Sequence, residues 1–155
     1  MYKKILVALD GSSLAEKGLE SALATAKQNP GSILVLLTII QGAALGEGLT
    51  YGGFAFAQLQ SQVNQVLEEG SRKYMDDVVT KLKSEGIDMQ VEIGWGDAAD
   101  GIVSYAEKNK VDLSVITTHR RSGLGKFFLG SVASKVISLS PLPVLVIRPD
   151  KKTQS

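Results

Sequence analysis

At 155 residues, with 44% hydrophobic and 21% charged side chains, the chain suits one domain able to bury roughly two-thirds of its unfolded surface without covalent staples. A formal net charge of +1 argues against a dedicated nucleic-acid binder, which needs a clear basic excess to track phosphates. No cysteine is present, which excludes disulfides, thiolate zinc sites and cysteine nucleophiles and is compatible with the expected cytoplasmic location.

Strand and helix signals alternate along the chain. The apolar run Ile5-Leu6-Val7-Ala8-Leu9 is stopped by Asp10-Gly11-Ser12. It is too short for a signal-peptide core or a membrane span, and reads as a strand buried on both faces. Ser13 and Glu16 have capping-box spacing, and Ala15, Leu19, Ala22, Leu23 and Ala26 then follow helical spacing up to Asn29-Pro30-Gly31. Residues 33–40 form a second apolar run. The stretch 41–53 holds five glycines and one negative charge and reads as a loop, either a lid or plain disorder. Val63, Val66, Leu67, Gly70, Tyr74, Val78 and Leu82 mark a long helix ending at Gly86. Met89, Val91 and Ile93 alternate with polar residues in a half-exposed strand closed by Gly94-Trp95-Gly96, and Asp97 can cap a helix with Ala99, Ile102, Val103 and Ala106 inside. A strand over 113–116, a helix over 131–140 and a strand over 144–147 complete the pattern.

This β-α alternation predicts a doubly wound, five-stranded parallel α/β sheet with helices on both faces. No linker or low-complexity segment divides it, so a single domain is expected over residues 1–150, followed by a polar tail at 151–155. In such sheets the ligand crevice lies at the carboxyl ends of the strands, where strand order reverses. With the order 3-2-1-4-5, Asp10-Gly11-Ser12 and Thr117-Thr118-His119-Arg120 would face one cleft.

The residues there carry two readings each. Gly130-Ser131 opens a helix, where bare N–H groups and the positive end of the dipole suit an anion, while Ser131 is expected to cap that helix in either case. Asp10 either holds a ribose, a base or a nucleotide-borne Mg²⁺, or ends a strand and starts a turn. Arg120, Arg121 and Lys126 make the loop basic, either facing an anion or merely solvated. His119 is the only histidine, which rules out a multi-histidine metal site, and no triad signature surrounds it. Trp95 is expected to bury its ring at the sheet edge, or else to border the cleft near Ile39.

From Lys4 to Ser12, through Gly94-x-Gly96-Asp97, Asp112-Leu113, Thr118-His119, Arg121-Ser122-Gly123-Leu124, Leu129-Gly130-Ser131-Val132-Ala133 and Pro141-x-Pro143-Val144-Leu145-Val146-Ile147, the chain resembles small, single-domain universal stress proteins. The resemblance implies the 3-2-1-4-5 sheet, dimers that pair their last strands, and membership of a family divided between ATP-binding and non-binding members. The binding members share Gly-x2-Gly-x9-Gly-Ser after strand four. Here those positions are Thr117, Arg120, Gly130 and Ser131, so both leading glycines are replaced. Thr117 adds a β-branched side chain near the expected ribose–phosphate path. Arg120 either blocks the pocket or clamps a phosphate with paired N–H donors. The candidate nucleotide site is then Ala8, Leu9, Asp10, Gly11, Ile39, Ile116, Thr117, Arg120, Gly130, Ser131, Val132 and Ala133. The candidate dimer edge is Val144, Leu145, Val146 and Ile147, with Pro141 and Pro143 limiting pairing at its start.

The expected function is a non-enzymatic stress-response or signalling homodimer that senses an adenine nucleotide such as ATP or AMP, with no nucleic-acid or membrane partner. The alternatives are a weak Mg-dependent ATP hydrolase using Asp10, and a nucleotide-independent interaction protein.

Overall fold

The computed structural model describes residues 1–42, 53–118 and 129–149. Five strands, β1 (Lys4–Ala8), β2 (Ile33–Ile40), β3 (Asp88–Trp95), β4 (Leu113–Thr117) and β5 (Val144–Ile147), form one parallel sheet in the order β3-β2-β1-β4-β5. The helices are α1 (Ala15–Lys27), α2 (Gly53–Leu82), α3 (Ala98–Lys108) and α4 (Ser131–Leu139), with a short 3₁₀ turn at Lys83–Glu85. The β-α alternation read from the sequence is therefore the architecture.

Side-chain alternation divides the core into two layers. Ile5, Val7, Leu34, Leu36, Leu113 and Val115 face α1 and α2, meeting Leu19, Ala22, Met75 and Val78. Leu6, Val35, Leu37 and Ile116 face α3 and α4, meeting Ile102, Val103, Ala133 and Val136. The amino end of the sheet is tied by Asp112, whose Oδ2 accepts hydrogen bonds from the Lys3 and Lys4 N–H groups, both at 2.8 Å.

Three local expectations are corrected. Ser13 does not cap α1; the Ser12 hydroxyl accepts the Ala15 N–H at 3.1 Å instead, because Asp10 folds Ser12 back over the helix start. Ser131 is the first residue of α4, not its cap. Gly130 holds the cap position without a side-chain bond, its carbonyl accepting the Ser134 N–H. Trp95 stays 41% exposed, since it lies on edge strand β3 and packs in neither core cluster.

The long helix is present where its spacing marks it; it begins at Gly53 and buries only Met75 and Val78, leaving Val66 67% exposed. At about 1.5 Å per residue a helix of this length spans about 45 Å, against about 26 Å for β2, so its N-terminal part outruns the sheet.

Candidate functional site

The sheet order places the switch point between β1 and β4, with Ile5 opposite Leu113 and Val7 opposite Val115. Beyond their carboxyl ends lies a cavity of about 380 Å³. Its wall contains eight of the expected residues: Ala8, Leu9, Asp10, Ile39, Ile116, Thr117, Val132 and Ala133. Ala15, Leu37, Gln41, Ala98 and Ile102 complete it. These five went unread because each looks like an ordinary core, helix-start or strand-end residue until the βα connections converge. Gly11 lies on a different cavity, beneath α2, while Gly130 and Ser131 stand just before Val132 at the mouth of α4. Arg120, His119, Arg121 and Lys126 lie outside the described residues, as does the stretch 43–52.

The wall is apolar except for Asp10, Gln41 and Thr117. Gly11 makes the turn that positions Asp10, at a φ of 84° that favours glycine. Asp10 Oδ1 then accepts from the Ser12 N–H at 2.9 Å and the Ser12 hydroxyl at 2.5 Å. Since the same hydroxyl accepts the Ala15 N–H, a short relay runs from the carboxylate to the start of α1.

Thr117 departs from the expectation that its side chain lies along the phosphate path. Its hydroxyl is buried with no hydrogen-bond partner and is directed at Gly18 on α1; a methyl group built at Gly18 would sit 2.5 Å from it. The alternation of β4 sends the polar atom under α1, so Gly18 makes room for Thr117.

The α3 and α4 mouths are locked together by charge. Asp97 caps α3 by accepting the Asp100 N–H at 3.0 Å, and Lys135 of α4 pairs with both Asp97 and Asp100 at 3.0 Å. The Asp100 N–H, then Lys135, holds the Asp97 carboxyl below its usual range, and Asp100 and Asp97 raise Lys135. At the first turn of α4 the N–H groups have no side-chain cap, leaving them available to an acceptor. Among the described residues no group of three His, Cys, Asp or Glu side chains is clustered to hold a metal, and no helix is long and apolar enough to cross a membrane.

The fold and crevice define a doubly wound α/β protein with a ligand-sized pocket at its switch point. The chain belongs to the universal stress protein family, whose sequence profile matches residues 1–148. Universal stress protein YxiE of Bacillus subtilis is 28% identical over 148 residues, covering 96% of this chain and all of that protein. The structure of MJ0577 from Methanocaldococcus jannaschii superposes with a TM-score of 0.80 at 28% identity, covering 97% of this chain and 98% of that one. An Arabidopsis thaliana family protein solved with AMP bound shares the fold at a TM-score of 0.67 and 16% identity, covering 99% of this chain and 95% of its own.

Proposed function

We propose that the chain is a homodimeric stress-response protein that binds an adenine nucleotide in the switch-point crevice and signals its occupancy without turning it over. The observation that carries this reading is the crevice itself, an apolar pocket of about 380 Å³ at the ends of β1 and β4, bordered by the uncapped start of α4. Its size and apolar lining are those of a small-molecule site. Ile39, Ile102 and Val132 offer apolar surface to a purine, and Asp10 offers a carboxylate to ribose hydroxyls. Residues 130–133 offer N–H groups to a phosphate. The AMP-bound relative supports the ligand class. Mg²⁺, if used, would arrive with the nucleotide phosphates and meet Asp10. The Ser12 hydroxyl is committed to Asp10 and to the start of α1, which supports binding over turnover. Dimerisation falls to β5, an edge strand on which Leu145 is 37% exposed and Val144, Val146 and Ile147 are half-buried.

Calorimetric titration of nucleotide-free protein with ATP and AMP, with chromatography of the mixture, tests the reading. Heat without product supports the sensor. Product replaces it with the hydrolase reading, and neither leaves an interaction protein. If Arg120 clamps a phosphate, Arg120→Ala weakens binding by about 1.5–3 kcal/mol. If it obstructs, Thr117→Gly with Arg120→Gly strengthens binding. No change in either variant removes the loop from the site.

A further inference from the structure

The long helix changes its apolar side where it passes the end of the sheet. Toward its C-terminus the side turned to the sheet carries Leu67, Ser71, Met75, Val78 and Leu82, and here Met75 and Val78 are buried. Continued toward the N-terminus, that side carries Gln60 and Asn64, whose side chains bond to each other at 3.0 Å. Apolar residues reappear about a quarter-turn away, as Phe56, Leu59, Val63 and Val66. Val66 borders the cavity at the ends of β1 and β2, so the three before it lie beyond the strand ends.

Spacings of three, four and three residues put these four on one line, as in the seam of a helix pair. Among the described residues none of them joins either core cluster, and Leu59 is 51% exposed. The flanks differ from an ordinary solvated helix face. No charged residue occurs from Gly53 to Leu67, and Glu68 and Glu69 follow at once.

Two-fold antiparallel pairing centred near Ser61 accounts for these features together. Phe56 of one copy meets Val66 of the other and Leu59 meets Val63, so every layer joins a larger side chain to a β-branched one. Gln60 and Gln62 each meet their own counterpart, where a charged residue would face its like and an amide can both donate and accept. Glu69 falls beside the first turn of the other helix, which carries no acidic residue and whose N–H groups attract a carboxylate. Parallel pairing would set the two Glu69 side chains at one level, where they repel.

We propose that the N-terminal half of α2 is a self-association surface whose occupant is the same stretch of a second copy. It is separate from β5 and from the nucleotide crevice and rests on neither. Four layers fall short of the roughly 1,000 Å² expected of a lasting interface, so pairing is expected well above micromolar concentration. There it doubles whatever assembly β5 provides.

The test is sedimentation velocity of the full chain over a concentration series reaching its solubility limit, with circular dichroism to confirm that each variant folds. A doubling of mass with rising concentration is expected. Leu59→Glu should abolish it, and Ser61→Lys, on the opposite side of the helix, should leave it unchanged. Gln62→Lys or Gln62→Glu alone should weaken it about fivefold, the effect of one like-charge contact in water, whereas an equal mixture of the two should restore it. A chain that is monomeric at micromolar concentration removes β5 but not this surface, which then takes monomer to dimer. Absence of doubling overturns the proposal and leaves the stripe to a different protein. Doubling that survives Leu59→Glu, or a mixture of the Lys and Glu variants no stronger than either alone, overturns it as well.

Discussion

Gly18→Ala is the most direct probe of how the altered motif position fits the fold. In an ordinary helix interior the change stabilises by about 1 kcal/mol. Here the new methyl carbon would sit 2.5 Å from the Thr117 hydroxyl oxygen, and 3.8 Å from Thr117 Cβ and from a Val7 methyl. Overpacking of this kind costs about 1–3 kcal/mol. Thr117 can relieve it only by turning χ1, which is stiff in a β-branched strand residue. The net expectation is a loss of about 0–2 kcal/mol, which lowers the melting temperature by up to about 8 °C for a domain of this size. In a Thr117→Ala background the obstacle is absent, so Gly18→Ala should regain the helix contribution and reverse sign. Urea unfolding of the four proteins, followed by circular dichroism, should give a coupling energy of about 1–3 kcal/mol. If Gly18→Ala stabilises both backgrounds equally, Thr117 does not occupy the space under α1, and its hydroxyl must be sought in the crevice.

Four further outcomes are expected. Lys110 has a φ of 54° at the end of α3, where the Lys110 and Val111 N–H groups bond back to Glu107 and Ala106; Lys110→Gly should therefore raise stability by about 0.5–1 kcal/mol in denaturant titration. Asp97 has a lowered pKa, so its contribution is present above the unfolded carboxyl value near pH 4 and disappears as pH falls through the folded value; Asp97→Asn, which keeps a capping side chain, should flatten that acid limb in thermal melts. Lys135 has a raised pKa, so its share persists below about pH 10 and is lost above it, and added salt should weaken both. Leu145→Asp should give monomer or insoluble protein in sedimentation at micromolar concentration, and a wild-type chain that sediments as a monomer removes β5 as the association surface.

Hydrophobic periodicity alone determined the elements. The apolar run at 33–40 is β2, the run at 144–147 is β5, and the polar alternation around Met89, Val91 and Ile93 is a half-exposed edge strand, because burial of a strand face is written every second residue. Asp97 was legible as a cap because its bond closes within three residues. Resemblance to a family, not periodicity, supplied the strand order and hence the shared end of β1 and β4. What tertiary structure decided were pairings between residues distant in the chain. Ser12 replaced Ser13 at α1 because Asp10 turns it inward, and Ser131 lost its expected capping role because Gly130 holds the cap position and the helix starts at Ser131. Gly18 and Thr117 are joined only when α1 packs across β4, and Ala98 and Ile102 reach the crevice only when α3 docks beside α4. Such contacts depend on which faces meet after the chain folds, and local spacing carries no record of them.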